Sequence, residues 1–191
     1  ENDRRYYFRV TAVDVGGNES AFSNEESIVA YLYDPNEPGE NMIHNGDFSQ
    51  GRTEWTLSHS STADAEWTVE DGRARVAIQA GGYDTHSIRL VQGGLKLVRG
   101  ETYALEFEAG AMTPRLIEIK VNKKNVGSFW DYSKMGPVYL PTSRQSLIMK
   151  YFTHTFVMEG QTDLDACIEV NVGADAADVY LDNLSLVRLA H

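Results

Sequence analysis

The sequence predicts an all-β protein: a jelly-roll β-sandwich of two antiparallel sheets over residues 42–191, with part of a second β-sandwich before it. Three observations predict it. Apolar residues alternate with polar ones in short runs, turn signals separate the runs, and no stretch repeats at the helical period. The runs are Ala74, Val76, Ile78 and Ala80; Tyr103, Leu105, Phe107 and Ala109; Ile117, Ile119 and Val121; Ala166, Ile168, Val170 and Val172; and a last one from Val179 to Val187. Asp71-Gly72, Gly81-Gly82, Gly93-Gly94, Arg99-Gly100 and Gly173 punctuate them. Strands with a single apolar face bury it by packing sheet against sheet.

Residues 1–33 open with Tyr6, Phe8, Val10 and Ala12 on one face of a strand and Arg9 and Thr11 on the other. A turn at Gly16-Gly17-Asn18-Glu19-Ser20 leads to a second strand near Ile28 to Leu32. Two strands alone are marginal in water. This pattern, with Ser23 after it, resembles the last two strands of a fibronectin type III domain, in which Tyr6 would be the corner tyrosine. The resemblance implies a spacer, and a chain that is a piece of a longer multimodular protein. Residues 34–41 read as a linker, because Pro35, Pro38 and Gly39 break regular structure. Residues 122–146 read as a long aromatic-rich connection, carrying Phe129, Trp130, Tyr132 and Tyr139 among glycines and prolines.

Composition narrows the function. The 191 residues carry a formal net charge of −11, which disfavours nucleic acid and anionic membrane surfaces as partners. No apolar run is long enough to span a bilayer as a helix. Cys167 is the single cysteine, so no intrachain disulfide forms, and no Cys/His cluster has zinc spacing.

The second part of the chain shows an ordered series of motifs. It opens with Met42-Ile43-His44-Asn45-Gly46-Asp47-Phe48, Gly51 and Trp55, then Val69-Glu70-Asp71-Gly72-Arg73-Ala74. Ile88-Arg89-Leu90-Val91-Gln92-Gly93-Gly94-Leu95 and Gly100-Glu101-Thr102-Tyr103 follow, and Val179-Tyr180-Leu181-Asp182-Asn183-Leu184-Ser185-Leu186 closes it. In this order the series resembles carbohydrate-binding modules of the family 4, 9 and 22 type. The resemblance implies non-catalytic binding of a polysaccharide such as a β-glucan or xylan. It further implies a monomeric module of an extracellular protein such as a glycoside hydrolase. The alternative host is a bacterial surface adhesin or a phage tail protein.

The strand faces point the same way. Opposite Ile117, Ile119 and Val121 lie Glu118, Lys120 and Asn122; opposite Ile168 and Val170 lie Asp165, Cys167, Glu169 and Asn171. Sugar hydroxyls pair with amides and carboxylates, and the C–H face of a pyranose stacks on aromatic rings. The candidate glycan contacts on these faces are Asn122, Glu169 and Asn171; the resemblance adds Trp130 and Tyr132 as platforms and Arg89 and His86 beside them, with Tyr83 at the rim. By the resemblance, Arg89 stands where Gln is common, His86 where Trp or Tyr is common, and Ser58 where some members carry a platform tyrosine.

The same resemblance implies a structural calcium, held by Asp47, Gly72 and Asp182 where the N-terminal segment meets the last strand. Calcium takes a shell of oxygen ligands, carboxylate and carbonyl. The position after Phe48 is Ser49 rather than the acid common in the family. Glycosidases work with two carboxylates. Glu118 and Glu169 could pair by arithmetic, but no nucleophile, phosphate-loop or metalloprotease motif is present, so the expectation is no catalysis.

Overall fold

The protein is described by a computed structural model covering residues 4–30, 39–124, 131–142 and 146–190. The chain divides into two units, Glu1–Pro35 and Asn36–His191.

In the first unit, β1 (Arg4–Phe8) pairs antiparallel with β2 (Glu26–Ala30), placing Tyr6 opposite Ile28. The expected first strand stops at Phe8, short of Ala12. Beyond it, the Ser23 and Ser20 hydroxyls accept the N–H groups of Val10 and Ala12, diverting donors from a regular ladder. The expected turn forms around Asp14, whose carboxylate accepts from Asn18 side-chain and backbone N–H groups and from Gly16 N–H. The Asn18 side chain is the largest cause holding the Asp14 carboxyl below its usual range. Residues 31–38, most of the expected linker, and the Tyr6 side chain lie outside what is described.

The second unit holds β3 (Thr56–His59), β4 (Ala63–Glu70), β5 (Arg73–Gly81), β6 (Ile88–Leu97), β7 (Thr102–Ala111), β8 (Arg115–Lys123), β9 (Pro137–Leu140), β10 (Lys150–Val157), β11 (Asp163–Asn171) and β12 (Val179–Arg188). One short 3-10 turn, Thr85–Ser87, precedes β6. The strands form two five-stranded sheets, in the orders β10-β7-β12-β5-β4 and β3-β6-β11-β8-β9. All the pairings are antiparallel. This is the expected sandwich.

The alternating runs make its core. Val76, Leu105, Phe107 and Leu181 come from one sheet and Leu90, Ile119, Ile168 and Val170 from the other, all fully buried. At one end Phe48 packs against Trp55 and Trp67, with ring centroids 5.7 and 6.3 Å apart. Both tryptophans are core residues rather than platforms. The segment before them is stitched to β12: Gly39 N–H donates to Arg188 O and Met42 N–H to Leu186 O. Gly46 lies so close to that strand that a Cβ would meet Leu184 O at 2.0 Å.

The connection expected over 122–146 contains a strand, β9. It is a four-residue edge strand with Pro137 at its first position, where a missing N–H costs no ladder bond. Its brevity and the prolines at its start and just past its end, Pro137 and Pro141, hide it from an alternation pattern.

Candidate functional site

Register assembles the site on the outer face of the sheet centred on β11. Ile168 and Val170 point inward, so Cys167, Glu169 and Asn171 point outward. Across β6, Gly93, Val91 and Arg89 stand opposite these three; across β8, Asn122, Lys120 and Glu118 do. β3 extends the rows by placing Thr56 opposite Val91 and Ser58 opposite Arg89. Three polar rows therefore run across the strands: Ser58–Arg89–Asn171–Glu118, Thr56–Val91–Glu169–Lys120, and Gly93–Cys167–Asn122. A cleft of about 520 Å³ opens on this face over β3, β6 and β11, with Glu54, Ser58, Arg89, Lys124 and Glu169 in its lining.

The polar groups of this face differ in how well they are satisfied. Lys124 Nζ binds both carboxylate oxygens of Asp165, at 2.9 and 3.1 Å, and its stem lies over Gly93. Glu118 Oε2 accepts from Thr85 Oγ1 at 2.8 Å and sits 3.2 Å from Lys120 Nζ and 3.4 Å from His86 Nε2. Burial works to raise the Glu118 carboxyl, but the Thr85 and Lys120 hydrogen bonds outweigh it and hold the group below its ordinary range. Arg89 reaches Glu169 Oε1 only at 3.8 Å. Asn122 and Asn171 are fully buried, and neither amide atom of either residue has a hydrogen-bond partner; the second oxygen of Glu169 is likewise buried and unpartnered. Most buried polar groups in folded proteins are bonded, so five orphan atoms on one face set it apart as a candidate site. Beneath the cleft, burial and the charges of Glu169 and Asp163 push the Cys167 thiol up to about 12.

Of the glycan contacts expected from sequence, the fold brings Arg89, Asn122, Glu169, Asn171 and His86 onto this one face. Tyr83 stands fully out in solvent two residues before the 3-10 turn. Tyr132 is elsewhere. Its ring packs against the core and beside Gly160, and its hydroxyl donates to Asp163 at 2.9 Å. It lines a separate cavity of about 700 Å³ with Lys123, Lys134 and Glu159. Burial and Asp163 push its phenol up to about 12. Trp130 lies outside the described residues. Thr85 and Lys124 were not among the expected contacts. Thr85 sits in a turn and Lys124 past the end of β8, so no alternation marks either.

The expected calcium ligands lie where the chain before β3 meets β12. The β12 ladder is irregular between Asp182 and Ser185, and a depression there is lined by Asn41, Asn45, Asp47 and Asn183. Burial first, then Glu108 and Asp47, push the Asp182 carboxyl up, opposed by the Asn183 N–H and by Arg73 at 3.8 Å. Asp47 accepts from Ser49 N–H and Oγ–H, which hold its carboxyl down. Gly72 forms the β4–β5 turn with positive φ, next to Arg73. Hard oxygen donors and uncompensated negative charge fit calcium. Among the described residues no three Asp, Glu, His or Cys side chains converge, so backbone carbonyls would have to complete the shell.

The comparisons with known proteins agree with the fold. A family model described as "Carbohydrate binding domain" matches residues 40–178. A solved CBM4 structure is 25% identical, with a TM-score of 0.67, over 76% of this chain and 99% of its own. The second N-terminal cellulose-binding domain of Cellulomonas fimi β-1,4-glucanase C is 19% identical, with a TM-score of 0.58, over 81% of this chain and all of its own. Part of the tailspike protein 4 of bacteriophage CBA120 has the same fold at 15% identity and a TM-score of 0.56, over 78% of this chain and 21% of its own. Among curated proteins, none matches this sequence.

Proposed function

The chain belongs to the carbohydrate-binding domain family, and on that premise we propose that its second unit holds a glycan chain in the cleft of the β11 sheet without cleaving it. One observation carries the placement: the orphan polar atoms of Asn122, Asn171 and Glu169 share a face with the loosely paired Arg89. An amide offers donors and an acceptor at once, which suits vicinal hydroxyls. Absence of catalysis is supported by the family, whose matching model is that of a binding domain.

The test is affinity electrophoresis of the protein through gels holding soluble β-glucans, xylans, mannans, agars or bacterial wall polysaccharides. Because the Cellulomonas fimi neighbour is described as cellulose-binding, soluble β-1,4-glucan heads the panel. Retardation by a plant or algal glycan, lost in Arg89→Ala, supports a module that targets a hydrolase. Retardation by wall glycans alone supports the adhesin or phage-tail host. No retardation by any glycan from a folded protein refutes the cleft assignment.

The setting we infer is a larger extracellular multimodular protein, in which the module acts as a monomer and the β1–β2 hairpin closes a fibronectin type III-like spacer. Phe8, Val10 and Phe22, all exposed, support the spacer, since a partner sheet would cover apolar residues of this kind. We also assign a structural calcium to Asp47, Asp182 and the Gly72 carbonyl. Excess EDTA should lower the melting temperature, and calcium should restore it, because a ligand bound only to the folded state stabilises it. An unchanged melt removes the metal.

A further inference from the structure

β11 breaks its own alternation near its start. Ala166 stands opposite Leu95 and Asp163 opposite Leu97, so three steps along β11 match two along β6. The extra residue is a β-bulge. Opposed residues of an antiparallel pair share a face, and Leu95 and Leu97 are both buried in the core. Asp163 therefore stands on the inner side, at the end of the sandwich. Strict alternation from Ala166 would put Leu164 there; instead Leu164 is 61% exposed. Turning a carboxylate in and a leucine out gives up apolar burial. Bulges of this kind gather beside functional sites, where they re-aim a side chain.

The bulge borders the cavity of about 700 Å³ that Tyr132 lines. One wall is the start of the β8–β9 connection and the other is the β10–β11 turn, residues 159–162. The first wall is held to β8, because Asn122 pairs with Asp131 and Tyr132 N–H donates to Val121 O. The turn makes room for the ring at Gly160, where a Cβ would stand 3.3 Å from Tyr132 Cε1. The Tyr132 hydroxyl then donates to Asp163 Oδ2 at 2.9 Å, while Oδ1 accepts the Asp165 N–H at 3.0 Å. A carboxylate accommodates about four hydrogen bonds, so Asp163 keeps acceptor capacity.

The lining suits one class of ligand. Lys123 and Gln161 offer donors, Asp131 and Asp163 offer acceptors, and the Tyr132 ring and Leu164 add apolar surface. Three carboxylates against two ammonium groups, one of which Glu159 already pairs, disfavour a phosphate. The ammonium groups disfavour a metal cation, which takes oxygen ligands. Donors, acceptors and apolar patches side by side match a sugar, with its hydroxyls and C–H faces. The volume falls within the range of about 300–1,000 Å³ that takes small molecules.

We propose that this cavity is a second saccharide site, which holds a short stretch of neutral glycan against Tyr132 and Leu164, with Asp163 and Gln161 on its hydroxyls. Its lining shares no residue with that of the cleft. The site rests on the reading of the chain as a carbohydrate binder and not on the cleft assignment.

The experiment is a ¹H–¹⁵N NMR titration of the full chain with cellohexaose, xylohexaose, mannohexaose and laminarihexaose in turn. Backbone amides of residues 131–134 and 159–164 report the cavity; those of residues 56–58, 89–93 and 167–169 report the cleft. At least one hexasaccharide should shift the cavity amides saturably. Leu164→Arg should weaken that binding about tenfold or more, and Arg89→Ala should leave it unchanged. Leu164 is exposed, so its replacement spares the core, and Gln161→Ala in the exposed turn gives a second variant that should weaken the same binding. Cavity amides that stay still with every probe while the cleft amides shift overturn the second site and leave the cleft standing. Cavity shifts that keep full affinity in both cavity variants overturn it too, and so do shifts that vanish in Arg89→Ala. Cavity shifts without cleft shifts refute the cleft and keep this site, and silence from both sets refutes both.

Discussion

The outer faces of the two sheets of the sandwich are both polar, and they are polar in different ways. On the β5–β12 sheet, Arg75 donates to Asp178 at 2.7 and 3.0 Å and to Glu70 at 3.0 Å, in partly exposed positions. Asp178 also accepts the Ile78 N–H. These charges have close partners and are partly exposed. On the β11 sheet, Asn122, Asn171 and Glu169 are buried with atoms that lack partners, and Arg89 and Glu169 meet only at 3.8 Å. A protein gains nothing in stability from buried orphan amides, since each costs about 1–3 kcal/mol. The contrast teaches that polarity alone does not mark a binding face. A cluster of buried, unpartnered polar atoms on one face is what sets the β11 sheet apart.

The comparison can be broken or sharpened by substitution. The largest effect should come from the core that both faces share. Phe107→Ala should cost about 3–5 kcal/mol in denaturant unfolding, because its ring is fully buried and leaves a cavity. Both faces should be lost in a single transition. On the β11 face, Asn171→Leu and Arg89→Ala should each weaken retention by a responsive glycan by about 1–3 kcal/mol. Asn171→Leu should leave the melting temperature unchanged or higher, since it removes two orphan atoms. A clear fall would mean that Asn171 is satisfied in solution and that the two faces are alike.

A smaller effect is expected in acid. The folded pKa of Glu118 is depressed, so its contribution is present above the ordinary glutamate range, near about 4.3. It is lost as pH falls through the folded value. Glu118→Gln should flatten the stability profile in that window alone. The smallest effect should be Arg75→Ala on the other face. As a partly exposed ion pair it should cost under about 1 kcal/mol and leave glycan retention untouched.

The fold was legible where burial is one-sided. Ile117, Ile119 and Val121, or Ile168 and Val170, announce a strand and its inner face by alternation alone, which also names Glu118, Lys120, Asn122, Glu169 and Asn171 as outward. Edge strands were less legible. β9 is four residues long and begins with Pro137, and β3 is equally short. Aromatic residues in connections were less legible still. Tyr132 sits beside the expected binding loop in sequence, but its ring covers the core and its hydroxyl reaches Asp163. Side-chain chemistry in a turn or loop carries no period that tells which way it points. For that reason Thr85 and Lys124 also went unmarked.

The sequence by itself determined that this protein is a β-sandwich, which residues line its core, and which side chains share a strand face, because the two-residue period of a strand is a local property. The motif series added the family. Only the tertiary structure decided that β6, β11, β8 and β3 lie side by side, so that Arg89, Asn171 and Glu118, far apart in the chain, stand in one row. Strand order depends on which of many pairings buries the most apolar surface at once. Whether an outward amide is satisfied depends on that order.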